Sequence, residues 1–190
     1  MSAATDHHVA AVTAVYPFGR HRRVVDVGSG RGSLLRAMLR AAPALRGVWY
    51  DRPEVLGSAR SLFTAAGLDE RCEFMPGNFL ESVPAGADLY CIKHVLHDWA
   101  DESVERILRN IVAAMDRDST LLIIEAFLDE RSRVDGLVKL RDIEQMFWTG
   151  GRVRSRREFT RLLAPAGLAI ETVRPTPIVD MNVIEVRRSR

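Results

Sequence analysis

The chain has 190 residues, enough for one domain with a substantial core. Apolar residues make up 47% and charged residues 27%, with a formal net charge of +2. That balance is ordinary for a soluble globular protein and gives no reason to expect a nucleic-acid or membrane surface.

The N-terminus carries Asp6, His7 and His8 where a signal sequence would be apolar. No apolar run reaches the length needed to cross a bilayer. Val9, Val12 and Tyr16 mark a short helical lead-in over residues 1–20. The rest of the chain, 21–190, reads as one α/β unit. Arg22 to Val27 is the first predicted strand, and it stops at Gly28-Ser29-Gly30-Arg31-Gly32. A helix follows over Ser33 to Ala42, with Leu34, Leu35, Met38 and Leu39 at helical spacing. Gly47 to Tyr50 is a short strand ending at Asp51, and Pro53 opens a helix that Gly67 stops. Cys72 to Met75 and Asp88 to Lys93 are further strands. Asp101 is placed to cap a helix whose apolar face is Val104, Ile107, Leu108, Ile111, Val112 and Met115. Leu121 to Ile124 is a buried strand, Arg131 to Asp135 a polar surface loop, and Glu158 to Ala166 a helix stopped by Gly167. Leu168 to Val173 and Asn182 to Val186 close the chain as two strands with no helix between them, so they should pair antiparallel. Arg187, Arg188 and Arg190 read as a solvated basic tail. Alternating strands and helices with near-continuous apolar strands imply a mostly parallel sheet covered on both faces. Cys72 and Cys91 have neither zinc spacing nor a disulfide framework, so free thiols and a cytoplasmic location are expected.

A ligand should lie at the carboxyl ends of the strands. The glycine turn lets backbone approach a ligand, and the helix after it offers unpaired N–H groups. Its spacing is G-x-G-x-G, with Ser33 at the third position of a dinucleotide fingerprint. Asp26, two residues before Gly28, suits a ligand with a cationic end, such as S-adenosylmethionine (SAM), better than a pyrophosphate. Asp51 could accept the ribose hydroxyls of an adenosine or could cap the helix at Pro53. The segment Lys93-His94-Val95-Leu96-His97-Asp98-Trp99 leaves a buried strand with two histidines and an acid. His97 could be a general base, with a neighbouring carboxylate such as Asp98 orienting its ring. His94, His97 and Asp98 could ligate a metal by composition, although their spacing fits no tight metal motif. Glu125 could support the base, bind substrate, or be a solvated strand-end acid. The segment Leu137 to Trp148 is more apolar than one helix needs for its own core contact. Met146 and Trp148 are therefore expected to line an acceptor pocket and the segment to meet a second chain, the alternative being that Met146 to Trp148 fold into the core.

Several segments in order resemble one family. They are Val24-Val25-Asp26-Val27-Gly28-Ser29-Gly30-Arg31-Gly32, Asp51-Arg52-Pro53-Glu54-Val55, Gly77-Asn78-Phe79, Leu96-His97-Asp98-Trp99-Ala100-Asp101-Glu102 and Gly150-Gly151-Arg152. From about residue 20 on, the chain resembles the caffeate- and hydroxyindole-type small-molecule O-methyltransferases. The resemblance implies a Rossmann-like class I methyltransferase sandwich, with a mostly parallel seven-stranded sheet and an antiparallel last strand. It implies SAM as cofactor, no metal, His97 as the base that deprotonates an acceptor hydroxyl, and Glu125 as an acid flanking it. It matches Asp26, Gly28, Gly30, Asp51, Arg52, Asn78, Phe79 and Lys93 to cofactor-binding positions. Two departures stand out: Asn78 where the family usually has an acid, and Val153 where it commonly has a second acid beside the base. The family's helical N-terminal domain, which supplies dimer contacts and part of the pocket, is expected to be absent. A homodimer or a partner chain could supply it.

Three readings follow. The first is a SAM-dependent O-methyltransferase acting on a phenolic or other hydroxylated small molecule. The second is a truncated relative that binds SAM or a partner with little catalysis. The third, a nicotinamide-dependent oxidoreductase, is disfavoured by Ser33.

Overall fold

A computed structural model of the chain describes residues 3–128, 136–178 and 181–189, with side chains described at all of these except 3–6, 137, 139, 141, 142, 144 and 148. Among them are seven strands: β1 (Arg23–Val27), β2 (Arg46–Asp51), β3 (Cys72–Pro76), β4 (Leu89–Lys93), β5 (Thr120–Glu125), β6 (Leu168–Pro175) and β7 (Asn182–Arg188). They form one sheet in the order β3-β2-β1-β4-β5-β7-β6. β3, β2, β1, β4 and β5 are parallel, and β7 runs antiparallel to both β5 and β6. This is the expected mostly parallel sheet with an antiparallel last strand.

The helices are α1 (Ala3–Val15), α2 (Ser33–Ala41), α3 (Pro53–Thr64), α4 (Asp101–Ala114), α5 (Gly136–Trp148) and α6 (Arg156–Leu163). Successive strand residues point to opposite faces of the sheet, and both faces are covered. Val25, Val27, Tyr90 and Ile92 pack with Val104, Ile107 and Ile111 of α4 and Phe159 and Leu163 of α6. Val24, Trp49, Leu89 and Cys91 pack with Val9 and Val12 of α1, Leu35 and Met38 of α2, and Phe63 of α3. Burial on both faces is why these strands read as unbroken apolar runs. The lead-in helix α1 thus shares its core with α2.

Four local readings change. Asp101 does not cap α4. Ala100 occupies that position without a side-chain cap, and the Asp101 carboxylate accepts instead from Arg152 and Arg154. α6 begins at Arg156, two residues before Glu158, because Ser155 and Glu158 form a capping box that puts Glu158 in the first turn. Arg187 and Arg188 are strand residues rather than a tail, since β7 lies inside the sheet and pairs as far as Leu168↔Arg188. Arg188 also donates to the Val112 and Met115 carbonyls. On α5, Val138 is buried against Ala126 and Val153, while Leu140, Ile143, Met146 and Phe147 are exposed. The core alternative therefore does not describe Met146 and Phe147; the Trp148 side chain and the Arg131–Asp135 loop lie outside the described residues. No helix among those described is long and apolar enough to cross a membrane. Cys72 and Cys91 are buried thiols.

Candidate active site

The turn after β1 has all three glycines in the left-handed region, with φ of 69° at Gly28, 54° at Gly30 and 70° at Gly32. A side chain at Gly28 would come within 2.7 Å of Val95, so the turn packs directly on the loop that follows β4. Gly28 and Ser29 both donate to the Tyr50 carbonyl, which locks the turn to the end of β2. Asp51, the last residue of β2, accepts the Gly30 N–H at 2.6 Å and the Arg52 N–H at 2.7 Å. It does not cap α3, whose N-cap is Arg52. The strand-end acid is thus part of the glycine turn.

Asp26 is buried and accepts a 2.6 Å hydrogen bond from the Ser29 hydroxyl. Burial pushes its carboxyl up to about 6, with the Ser29 hydroxyl and the Lys93 ammonium opposing the rise and Asp51 adding to it. Two carboxyl groups therefore bracket the turn. That arrangement suits a cationic ligand and opposes a pyrophosphate.

A cavity of about 1110 Å³ opens at the carboxyl ends of the parallel strands, above the roughly 300–1,000 Å³ of a pocket for one small ligand. Of the expected cofactor positions, Gly28, Asp51, Arg52, Asn78 and Phe79 line it. Asp26, Gly30 and Lys93 are not among the lining residues. Asn78 is engaged in its own turn: its side-chain oxygen accepts from Leu80 N–H and its amide donates to Glu81. Phe79 meets Trp99 edge to face at 5.8 Å, giving this part of the wall an aromatic surface.

His97 sits in a 3-10 turn, Leu96–Asp98, directly after β4. Its Nδ1 is 2.6 Å from Oε2 of Glu125, the buried last residue of the neighbouring β5. Glu125 is not the solvated acid of the alternative reading. Its other oxygen accepts the Val95 and Leu96 N–H groups. A carboxylate only accepts, so Nδ1 must donate, and in the neutral imidazole the lone pair then falls on Nε2. Asp98 Oδ1 lies 3.6 Å from Nε2, beyond hydrogen-bond range but close enough for its charge to be felt. Burial raises the Asp98 carboxyl, His97 pulls it down and Glu125 pushes it up. Asp98 lines the cavity, as do Val95, Trp99, Thr149 and Gly150, whereas His97 and Glu125 are not among the lining residues.

His94, which also lines the cavity, has a backbone φ of 52°, uncommon for a residue with a side chain. Its ring lies 5.4 Å from that of His97 and 5.7 Å from that of His8 on α1. Among the described residues, no group of three or more His, Cys, Asp or Glu is disposed to hold a metal ion. Met146 is exposed and outside the cavity lining.

The sheet order, the glycine turn and the strand-end acids define a class I, Rossmann-like methyltransferase fold. More specifically, the O-methyltransferase domain family matches residues 2–169, and the chain belongs to it. A mitomycin biosynthesis 6-O-methyltransferase of Streptomyces lavendulae is 46% identical over 178 residues, covering 94% of this chain and 50% of that protein. The solved mitomycin 7-O-methyltransferase MmcR superposes with a TM-score of 0.93 at 44% identity, over 98% of this chain and 54% of that one. NcsB1, an O-methyltransferase from neocarzinostatin biosynthesis solved with SAM and 2-hydroxy-5-methyl naphthoic acid, gives a TM-score of 0.86 at 33% identity, over 97% of this chain and 55% of that one. The chain spans about half the length of the curated relatives it matches.

Proposed function

We propose that this chain is the cofactor-binding and catalytic part of a SAM-dependent O-methyltransferase whose acceptor is a hydroxyl of a phenolic or similar small molecule. The observation that carries the reading is the His97–Glu125 pair, 2.6 Å apart at the end of two adjacent strands, with His97 on a segment whose His94, Val95 and Asp98 line the cavity. When bound, SAM supplies an electrophilic methyl group on a sulfonium and leaves as the thioether. The chain's own residues handle the proton and the geometry. His97 Nε2 takes the acceptor's hydroxyl proton, Glu125 holds Nδ1–H and stabilises the imidazolium, and the Asp98 carboxylate adds favourable charge nearby. Asp51 and the Gly28–Gly32 turn hold the adenosine sugar, Phe79, Asn78 and Arg52 border the base, and Asp26 and Lys93 serve the methionine end. A bracket of carboxyl groups supports SAM over a nicotinamide dinucleotide.

The exposed apolar face of α5 favours a second reading. In it, the chain binds SAM but turns over poorly until a second copy or a partner chain completes the acceptor pocket. Transfer of a radiolabelled methyl group from SAM to 2-hydroxy-5-methyl naphthoic acid and 1,4-dihydroxy-2-naphthoic acid, the hydroxylated compounds solved in complex with NcsB1, separates the two. Labelled methyl ether supports the first reading. SAM binding with no transfer to either acceptor or to a wider phenol panel supports the second.

A further inference from the structure

Arg154 lies in the loop between α5 and α6, with its side chain wholly buried. Every hydrogen bond of its guanidinium points at one neighbourhood. Nη1 donates to the Leu96 carbonyl at 2.8 Å and Nη2 to the Trp99 carbonyl at 2.6 Å. Nε and Nη2 both donate to Asp101 Oδ1, at 2.9 and 2.8 Å. The two carbonyls bracket His97 and Asp98. On the opposite side, Glu125 takes the N–H groups of Val95 and Leu96 together with the His97 ring. The segment Val95–Trp99 is thus gripped at its N–H groups by an acid and at its carbonyls by a guanidinium.

The grip is anchored. Asp101 also accepts from Arg152 at 2.8 Å, and Arg152 holds Glu158 at 2.7 Å, the residue that closes the cap of α6. The same loop presses its backbone on the base: a side chain at Gly151 would overlap the His97 carbonyl. Packing alone does not call for this arrangement, since a buried charge is often replaced by an apolar side chain at no cost in stability. The Leu96 carbonyl already accepts the Trp99 N–H at 3.3 Å within the turn; what an apolar side chain could not do is satisfy the Trp99 carbonyl and tie it to the Leu96 carbonyl through one rigid group.

We propose that Arg154 is the positioning residue for His97, holding the turn that presents the imidazole to Glu125 and to the cavity. The inference rests on the reading of His97 as the base. Lysine keeps the charge but cannot reproduce the planar fork that spans two carbonyls and a carboxylate. In ¹⁵N-labelled protein, with His97 assigned by a His97→Gln variant, the wild-type ring should show the Nδ1-protonated tautomer. Folded Arg154→Lys should lose that signature while binding SAM as the wild type does. Asp101→Asn, which weakens the anchor without changing volume, should erode the signature in the same direction and decides the matter if Arg154→Lys does not fold. An unchanged His97 spectrum in the folded variants overturns the role of Arg154 alone. A wild-type ring without the Nδ1–H tautomer overturns the reading of His97 beneath it.

Discussion

Asp26 is held at a cost that a single substitution should reveal. Burial lifts its carboxyl from the ordinary 3.8 to about 6 in the folded chain. Between those values the unfolded chain is ionised while the folded chain still holds the proton. The folded state is therefore favoured below pH 3.8, and it loses that advantage as pH rises through about 6. At about 1.36 kcal/mol per pH unit, the loss comes to about 3 kcal/mol above pH 6, a sizeable part of the roughly 5–15 kcal/mol by which domains are stable. Asp26→Asn has no proton to release and keeps an oxygen that can accept from Ser29. Urea unfolding at pH 4, 5, 6 and 8 should show the variant gaining on the wild type as pH rises, with the difference levelling off near 3 kcal/mol. A cationic ligand at this acid should reverse the balance: SAM should bind the wild type more tightly above pH 6 and bind the variant more weakly. A stability difference that does not change between pH 4 and 8 would refute the burial argument. SAM affinity equal in both proteins would remove Asp26 from the cofactor site.

Two further outcomes follow from the geometry. Asp51→Ala should lose two ribose hydrogen bonds to a charged acceptor, each worth roughly 1.5–3 kcal/mol, as well as the partner of the Gly30 N–H. Calorimetry should show SAM affinity falling by about 10²-fold or more, and an unchanged affinity sinks the ribose assignment. The exposed Met146 and Phe147 side chains should drive self-association or partner binding through α5, which Met146→Lys with Phe147→Lys should abolish. A wild-type chain that sediments as a clean monomer at high concentration and is fully active with no added partner contradicts this.

Much of this arrangement is legible in the sequence because the signals are local. An apolar strand that ends in an acid, as at Asp51, places that acid at the crevice, and the positive-φ glycines of the turn announce themselves by composition. The His97–Glu125 pairing spans 28 residues and follows from the family resemblance and from β4 and β5 being neighbours. Other features are hidden for identifiable reasons. Asp101 has the composition of a helix cap, but two arginines from a distant loop claim its carboxylate. Ser155 and Glu158 carry the spacing of a capping box, yet the apolar pattern begins only at Phe159, which moves the apparent helix start. Arg154 belongs to a run with Arg152, Arg156 and Arg157, and nothing in the spacing marks the buried one. Only the tertiary packing of the Gly150–Ser155 loop against the His97 turn separates it from its solvated neighbours.

The most direct test of the account is the rate of methyl transfer by His97→Ala. SAM affinity, measured in parallel, should stay at the wild-type value, because His97 is outside the glycine turn and the Asp51 contacts. Turnover on an acceptor that the wild type methylates should fall by about 10²–10⁴-fold, the contribution of a positioned general base. Turnover that survives the substitution intact would mean that another group takes the proton and that the His97–Glu125 pair is not the catalytic centre.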